Sequence, residues 1–97
     1  MRIIARSTLR KFWELHADAE RPLVEWYALA SKAQWHSPAT LKQDIRTASI
    51  LKGRRAVFNI AGNKYRLVVD IDYARQWLWI KFIGTHQDYD IIDAENV

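Results

Sequence analysis

The spacing of hydrophobic residues changes near residue 50, from a helical period to a strand period. Before that point, Leu23, Trp26, Tyr27 and Ala30 recur at i, i+3, i+4 and i+7, which places them on one face of a helix. After it, apolar and polar residues alternate, as they do in strands that bury one face. The pattern therefore predicts an α+β domain, with helices first and strands later.

N-cap residues predict where the helices begin, because their side chains accept hydrogen bonds from the free amides of a first turn. A short strand is predicted over residues 2–5. Ser7 is the predicted cap of a helix over residues 8–17, and Asp18 that of the helix with the apolar face described above. Ser37, followed by Pro38, is the predicted cap of a helix over residues 38–46.

Three strands are predicted in the second half, over residues 56–60, 65–73 and 77–83. In the middle strand, one predicted face consists of Tyr65, Leu67, Val69, Ile71 and Tyr73. In the last strand, one predicted face consists of Leu78, Ile80 and Phe82, and the other of Trp77, Trp79, Lys81 and Ile83. Because the connections are short, the strands are expected to form an antiparallel meander. The helices are expected to pack on one face of this sheet.

The composition indicates a folded single domain spanning residues 1–97. The chain has no cysteine, which excludes disulfides, thiolate zinc sites and a cysteine nucleophile. No apolar run is long enough for a transmembrane helix, and the first residues lack the pattern of a signal peptide. The expected localisation is cytoplasmic.

The charge is distributed unevenly, although the formal net value is only +4. All 15 Lys and Arg residues lie within positions 1–86, whereas residues 87–97 carry four acidic residues and no base. A basic body of this kind favours a polyanionic partner.

The sheet face turned away from the helices is predicted to combine cations with aromatic rings. Arg66 and Lys81 are expected on this face together with Trp77 and Trp79, and Arg54 and Arg55 enter it from the far end. Single-stranded nucleic acid suits such a surface, because its phosphates need positive charge and its bases stack on aromatic rings.

Two motifs carry a resemblance to a known family. The first, FNIAGNKYR, contains Asn59, Gly62, Asn63 and Arg66; the second, THQDYD, contains Thr85, His86, Tyr89 and Asp90. In this order and spacing they closely resemble the HigB toxins of bacterial type II toxin–antitoxin systems. The resemblance covers nearly the whole chain, including the N-terminal strand and helices and the junction from Trp35 to Pro38.

The resemblance implies a RelE-like fold and an mRNA interferase, an endoribonuclease that cuts translated messenger RNA on the ribosome. It also implies a partner, a helix-turn-helix antitoxin of the HigA type that silences the toxin in a hetero-oligomeric complex. Lys64 and Lys81 stand where the family tends to carry cations.

The available side chains suit cleavage by the 2′-hydroxyl of RNA without a metal or another cofactor. His86 is the candidate proton carrier, since imidazole titrates near neutral pH. Tyr89, three residues later, is its candidate acid or partner, and Arg66 is suited to a phosphate in the transition state. The candidate RNA contacts are Lys64, Lys81, Asn63, Arg54, Arg55 and Trp79.

Structural roles compete with these assignments. His86 can simply cap a strand end, Arg66 can pair with Asp70 or Asp72, and Tyr89 can seal the edge of the core. His16 and His36 are expected to be structural or solvated. Two other functions remain open: an RNA-binding module without catalysis, and a domain whose aromatic residues serve only a protein partner.

Overall fold

Four α-helices and one five-stranded sheet make up the fold, and the computed structural model describes all of residues 1–97. The elements in chain order are β1 (Arg2–Ile4), α1 (Arg6–Leu15), a 3-10 turn (Ala17–Ala19), α2 (Glu20–Lys32), α3 (Pro38–Asp44), β2 (Ser49–Ile50), β3 (Arg55–Ile60), β4 (Tyr65–Asp72), β5 (Trp77–Thr85) and α4 (His86–Asp90). No helix is both long enough and apolar enough to cross a bilayer.

The sheet has the strand order β1-β5-β4-β3-β2. Strands β3, β4 and β5 pair in antiparallel fashion through short turns, which confirms the predicted meander. The N-terminal strand β1 lies parallel to β5 at one edge, and the two-residue strand β2, which was not predicted, pairs with β3 at the other. The α+β class predicted from the hydrophobic pattern is confirmed.

One face of the sheet, here called the inner face, packs against the helices. As the alternation predicts, Tyr65, Leu67, Val69 and Ile71 are all buried in this core. The helical stripe contributes Leu23, Trp26 and Ala30 from the other side. Each large side chain removed from water in this way stabilises the fold by about 1.5–3 kcal/mol.

A β-bulge in β5 interrupts the predicted alternation. Val68 pairs with Phe82 and Val69 with Ile80, so that Lys81 is an extra residue without a partner across the ladder. Beyond the bulge the faces exchange: Phe82 joins a cluster on the outer face of the sheet, and Ile83 packs against the main core. The predicted orientation of these two residues was therefore wrong, because one inserted residue moves every following side chain of the strand to the opposite face of the sheet.

The outer face is only partly open, because the C-terminal segment (residues 86–97) lies across it. A small apolar cluster of Val57, Val68 and Ala94 is buried there, with Phe82 and Tyr89 packed against it. This segment is tied to the sheet by polar contacts: the guanidinium of Arg55 donates to the Val97 carbonyl at 2.6 Å, and the Lys52 amide donates to Glu95 at 3.2 Å. The face turned away from the helices was predicted to be open to nucleic acid, but part of it is covered, because Val57, Val68 and Phe82 present apolar surface that the C-terminal segment buries.

One of the three predicted helix caps is confirmed. Ser37 accepts from the Thr40 amide at 3.3 Å at the start of α3. The other two were wrong: α1 begins after Ala5, whose φ of 76° turns the chain without a side-chain cap, and the N-cap of α2 is Ala19. Asp18 is unavailable as a cap because its carboxylate bonds to Lys64 and Tyr65 of the sheet.

Candidate active site

Helix α4 is fixed at its first residue to the β3–β4 turn. A capping box starts it: the Thr85 hydroxyl accepts from the Asp88 amide at 3.1 Å, and the Asp88 carboxylate accepts from the Thr85 amide at 3.3 Å. The His86 amide then donates to the Lys64 carbonyl at 3.1 Å. Two distant parts of the chain are thereby joined, and His86 is placed beside the β3–β4 turn.

Close packing behind His86 depends on a glycine. Gly84 is buried in β5, and a Cβ at this position would lie 2.5 Å from the Phe82 ring and 3.2 Å from the Asp88 side chain. At 2.5 Å the Phe82 ring would have to move, and 3.2 Å is tighter than most carbon contacts. The absence of a side chain at this position therefore lets α4 begin directly at the edge of the sheet.

The imidazole of His86 is held by a carboxylate one helical turn away. Its Nδ1 lies 3.2 Å from the Asp90 carboxylate, and the side chain is 45% exposed. A carboxylate on one ring nitrogen fixes the orientation of the ring and favours the tautomer with a proton on that nitrogen. The Nε2 atom then remains available for proton transfer.

His86 lines a cleft of about 620 Å³ at this end of the sheet. The residues that line it are His16, Asn63, Lys64, Tyr65, Thr85, His86 and Gln87. Three of the predicted site residues, His86, Lys64 and Asn63, are thus brought together. The walls come from the end of α1, the β3–β4 turn and the start of α4.

Asp18, predicted from the sequence only as a helix cap, sets the protonation of two side chains of the cleft. The Asp18 carboxylate accepts hydrogen bonds from Lys64 Nζ and, at 2.5 Å, from the Tyr65 hydroxyl. The bond from Lys64, followed by that from Tyr65, lowers the pKa of Asp18. The same carboxylate raises the pKa of Lys64 and of Tyr65, so that near neutral pH the amine stays charged and the phenol stays protonated.

Replacing Asp18 with asparagine is expected to make stability depend less on pH. A lowered Asp18 pKa stabilises the fold above the usual carboxyl value of about 3.9, and this contribution is lost as the pH falls through the folded-state pKa. A raised Lys64 pKa stabilises it below about 10.4, and this contribution is lost as the pH rises through the folded-state value. Urea unfolding should thus show wild type more resistant than Asp18→Asn between these limits.

The two proteins should approach each other in strong acid, where Asp18 is protonated in both the folded and unfolded states. Glu20→Gln removes the same charge from an exposed position next to the turn and serves as the control. A constant difference between wild type and Asp18→Asn at every pH would show that the pairing contributes no pH dependence.

Arg66 lies next to the cleft rather than among the residues that line it. Its Nη1 donates to the Asn63 carbonyl at 3.2 Å, and its guanidinium lies 6.0 Å from the centre of the Tyr89 ring. Tyr89 also packs against the apolar cluster of the outer face. Arg66 and His86 are at the same end of the sheet, because Arg66 pairs across the ladder with Gly84, two residues before His86.

Three other predicted RNA contacts lie at the opposite end of the sheet. Arg54 pairs with Asp70 at 3.0 Å and Asp72 at 3.3 Å, and it lies 5.6 Å from the Trp79 ring. Arg55, only 15% exposed, pairs with Asp70 and holds the C-terminal carbonyl. Arg55 and Ile60, which lies beside the cleft, are five positions apart along β3, which corresponds to roughly 17 Å. Lys81 is exposed at the bulge.

Sequence reasoning missed four residues of this site. His16 was expected to be structural or solvated, Asp18 a helix cap, and Tyr65 a plain core residue, while Asp90 was noted only as part of a motif. Asp18 and Tyr65 are 47 positions apart, and no local pattern reports such a contact. The structure has no group of three or more His, Cys, Asp or Glu side chains arranged to hold a metal ion.

Comparison with known proteins relates the chain to one family of toxins. The family model HigB_toxin, described as the RelE-like toxic component of a toxin–antitoxin system, matches residues 19–92. Similar curated proteins are the mRNA interferase toxin HigB of Escherichia coli K12 and the mRNA interferases HigB of Escherichia coli O157:H7 and Shigella flexneri. Each is 26% identical over 96 residues, which covers 97% of this chain and 92% of the relative.

Proposed function

Because the chain belongs to the HigB family of RelE-like toxins in toxin–antitoxin systems, we propose that it is an mRNA interferase that cleaves translated messenger RNA on the ribosome. The observation that carries the proposal is the cleft at the end of the sheet, where His86, oriented by Asp90, lies beside the cation Lys64. Relatives that match almost the whole chain are named mRNA interferases, which supports the same activity.

The proposed reaction uses the nucleophile that RNA itself carries. The 2′-oxygen forms a bond to the adjacent phosphorus while the bond from phosphorus to the 5′-oxygen breaks. The products are a 2′,3′-cyclic phosphate and a 5′-hydroxyl. A base must take the proton of the 2′-hydroxyl, an acid must protonate the leaving 5′-oxygen, and cations must stabilise the charge that develops on the phosphate. This route requires no metal ion.

Each of these requirements has a candidate in or beside the cleft. His86 transfers a proton through Nε2. Lys64 is kept charged by Asp18, which also compensates part of that charge, and the ammonium donors that Asp18 leaves free bind the phosphate oxygens. Arg66 supplies a planar pair of donors for the phosphate oxygens, and its guanidinium lies over the Tyr89 ring, which helps to position it. Asn63 contacts the RNA from the turn.

Flanking RNA is proposed to follow the outer face beyond the cleft. Lys81 at the bulge and the stacked pair of Arg54 and Trp79 would meet it, because both cations retain substantial exposure. Arg54 brings less net charge than the sequence suggests, since Asp70 and Asp72 compensate it. Arg55 contributes to this surface mainly by holding the C-terminal segment in place.

The family implies an antitoxin partner. We propose that this partner is a helix-turn-helix protein of the HigA type and that the toxin works in the cytoplasm, where it meets ribosomes. Neutralisation requires that the antitoxin deny messenger RNA access to the cleft, either by covering it or by preventing the toxin from entering the ribosome.

The test is incubation with ribosomes carrying a defined message, followed by mapping of the new ends and their chemistry. We expect cuts within the translated region that end in a 2′,3′-cyclic phosphate and a 5′-hydroxyl. A message with one 2′-deoxynucleotide at the cut position should resist cleavage there. Ends with a 5′-phosphate would contradict attack by the 2′-hydroxyl, and intact messages that nevertheless bind the protein would favour an RNA-binding module.

A further inference from the structure

The cleft contains a second histidine, and the geometry points to His16 as a second proton-transfer residue that works opposite His86. The inference rests on the proposed function and adds the partner that an acid–base mechanism requires. The two imidazoles reach the cleft from different parts of the fold, His16 from the end of α1 and His86 from the start of α4. The match to the family model begins at residue 19, after His16.

The backbone of His16 is fixed on both sides. Its amide donates to the Phe12 carbonyl at 2.9 Å, which closes α1, and its carbonyl accepts from the Ala19 amide at 2.9 Å, which starts the 3-10 turn. His16 thus occupies the junction between two helical segments. The main chain at this junction is therefore held in place at the wall of the cleft.

Two aromatic rings fix the plane of the imidazole without using its nitrogens. The ring stacks on Phe12 with centroids 4.3 Å apart and meets the edge of Tyr65 at 5.4 Å. Neither ring nitrogen of His16 makes a hydrogen bond to the protein, and neither is a buried atom without a partner, so both remain accessible from the cleft. A histidine that served only to pack could be a phenylalanine, whereas free nitrogens at the wall of a cleft are suited to an incoming ligand.

The other ionisable groups around His16 are not suited to accept a proton from RNA. Lys64 in the β3–β4 turn and Tyr65 on β4 are held in their protonated forms by Asp18, whose carboxylate accepts a hydrogen bond from each of them. His86 on α4 is the remaining titratable group that lines the cleft. The two imidazoles are therefore the side chains of the cleft whose ring nitrogens are left to accept or donate a proton.

The proton balance of the reaction then closes within the cleft. One histidine begins neutral and takes the proton from the 2′-oxygen as that oxygen bonds to phosphorus. The other begins protonated and gives its proton to the 5′-oxygen as the bond to phosphorus breaks. The charge of the protein is the same before and after, and exchange with water restores the starting state.

The test is single-turnover cleavage on programmed ribosomes across pH 5.5–8.5 with wild type and His16→Phe. Phenylalanine keeps the aromatic stack on Phe12 and Tyr65 but cannot transfer a proton. We expect the rate to fall by about 10²-fold or more, one limb of the pH profile to disappear, and ribosome binding to stay within about twofold. His36→Phe, a change at an exposed histidine outside the cleft, should behave as wild type.

A second variant distinguishes a role in proton transfer from a role in packing. In His16→Ala, added imidazole should restore part of the cleavage rate, which a role in packing alone does not predict. Wild-type rate and an unchanged pH profile in His16→Phe would overturn the assignment while leaving the interferase activity intact. Failure of the wild-type protein itself to cleave would overturn the proposed function, and this inference with it.

Discussion

Replacing His86 with alanine is expected to lower message cleavage on programmed ribosomes by about 10²–10⁴-fold, the usual contribution of one general acid or base. The side chain reaches the cleft from the first residue of α4, and the Asp90 carboxylate lies 3.2 Å from its Nδ1. Alanine retains the helix start, because the capping box is built from Thr85 and Asp88. Expression of the variant in growing cells should therefore cause no growth arrest, whereas wild type should arrest growth.

Two further variants separate proton transfer from positioning. Asp90→Asn removes the charge that orients the imidazole but keeps the imidazole, so a smaller loss and a shifted pH profile are expected. His36→Ala changes an exposed histidine outside the cleft and should leave the rate unchanged. Equal growth arrest and equal cleavage by wild type and His86→Ala would remove His86 from the catalytic machinery.

The strands were predictable because their pattern is repeated over many residues. Strand β4 buries alternate side chains from Tyr65 to Ile71 on the inner face, as its sequence indicates. Strand β5 follows the same rule only up to Lys81, where the bulge reverses it. Nothing in the alternation of Leu78, Ile80 and Phe82 signals an extra residue, since the consequence appears only when β5 is paired with β4.

The helix starts show why a local signal is not sufficient. Ser37 and Asp18 are both residue types that cap helices, yet only Ser37 does so. Asp18 instead bonds to Lys64 and Tyr65, which lie 46 and 47 positions further along the chain and are brought to it by the fold. An ionised carboxylate gains more from a cation and a hydroxyl than from one backbone amide.

The candidate site was predictable in its chemistry but not in its shape. The motifs and residue types pointed to His86, Lys64 and Asn63, and these do share a cleft. The basic, aromatic surface expected on the outer face is smaller than predicted, because the C-terminal segment covers its apolar middle and carboxylates compensate Arg54. The sequence shows which charges exist, whereas the three-dimensional pairing determines which of them remain available to RNA.

Arg66 is the residue for which replacement should have the second large effect. Arg66→Ala is expected to lower the single-turnover cleavage rate by about 10²–10³-fold, because it removes a preorganised charge next to the phosphate. The guanidinium is already positioned by the Asn63 carbonyl on one side and the Tyr89 ring on the other. Little reorganisation is then needed when negative charge develops on the phosphate oxygens.

Arg66→Lys should recover only a small part of this loss. An ammonium keeps the charge but lacks the planar pair of donors that can bind two phosphate oxygens together. The rate and the affinity for programmed ribosomes should be measured separately, since transition-state stabilisation lowers the rate while binding changes little. Arg21→Lys, at an exposed arginine that pairs only with Glu25, is the matched control. If Arg66→Lys cleaved as fast as wild type, a positive charge at this position would be sufficient for cleavage. The role of Arg66 would then be that of a simple cation, like Lys64, and the planar pair of guanidinium donors would not be needed to bind the phosphate.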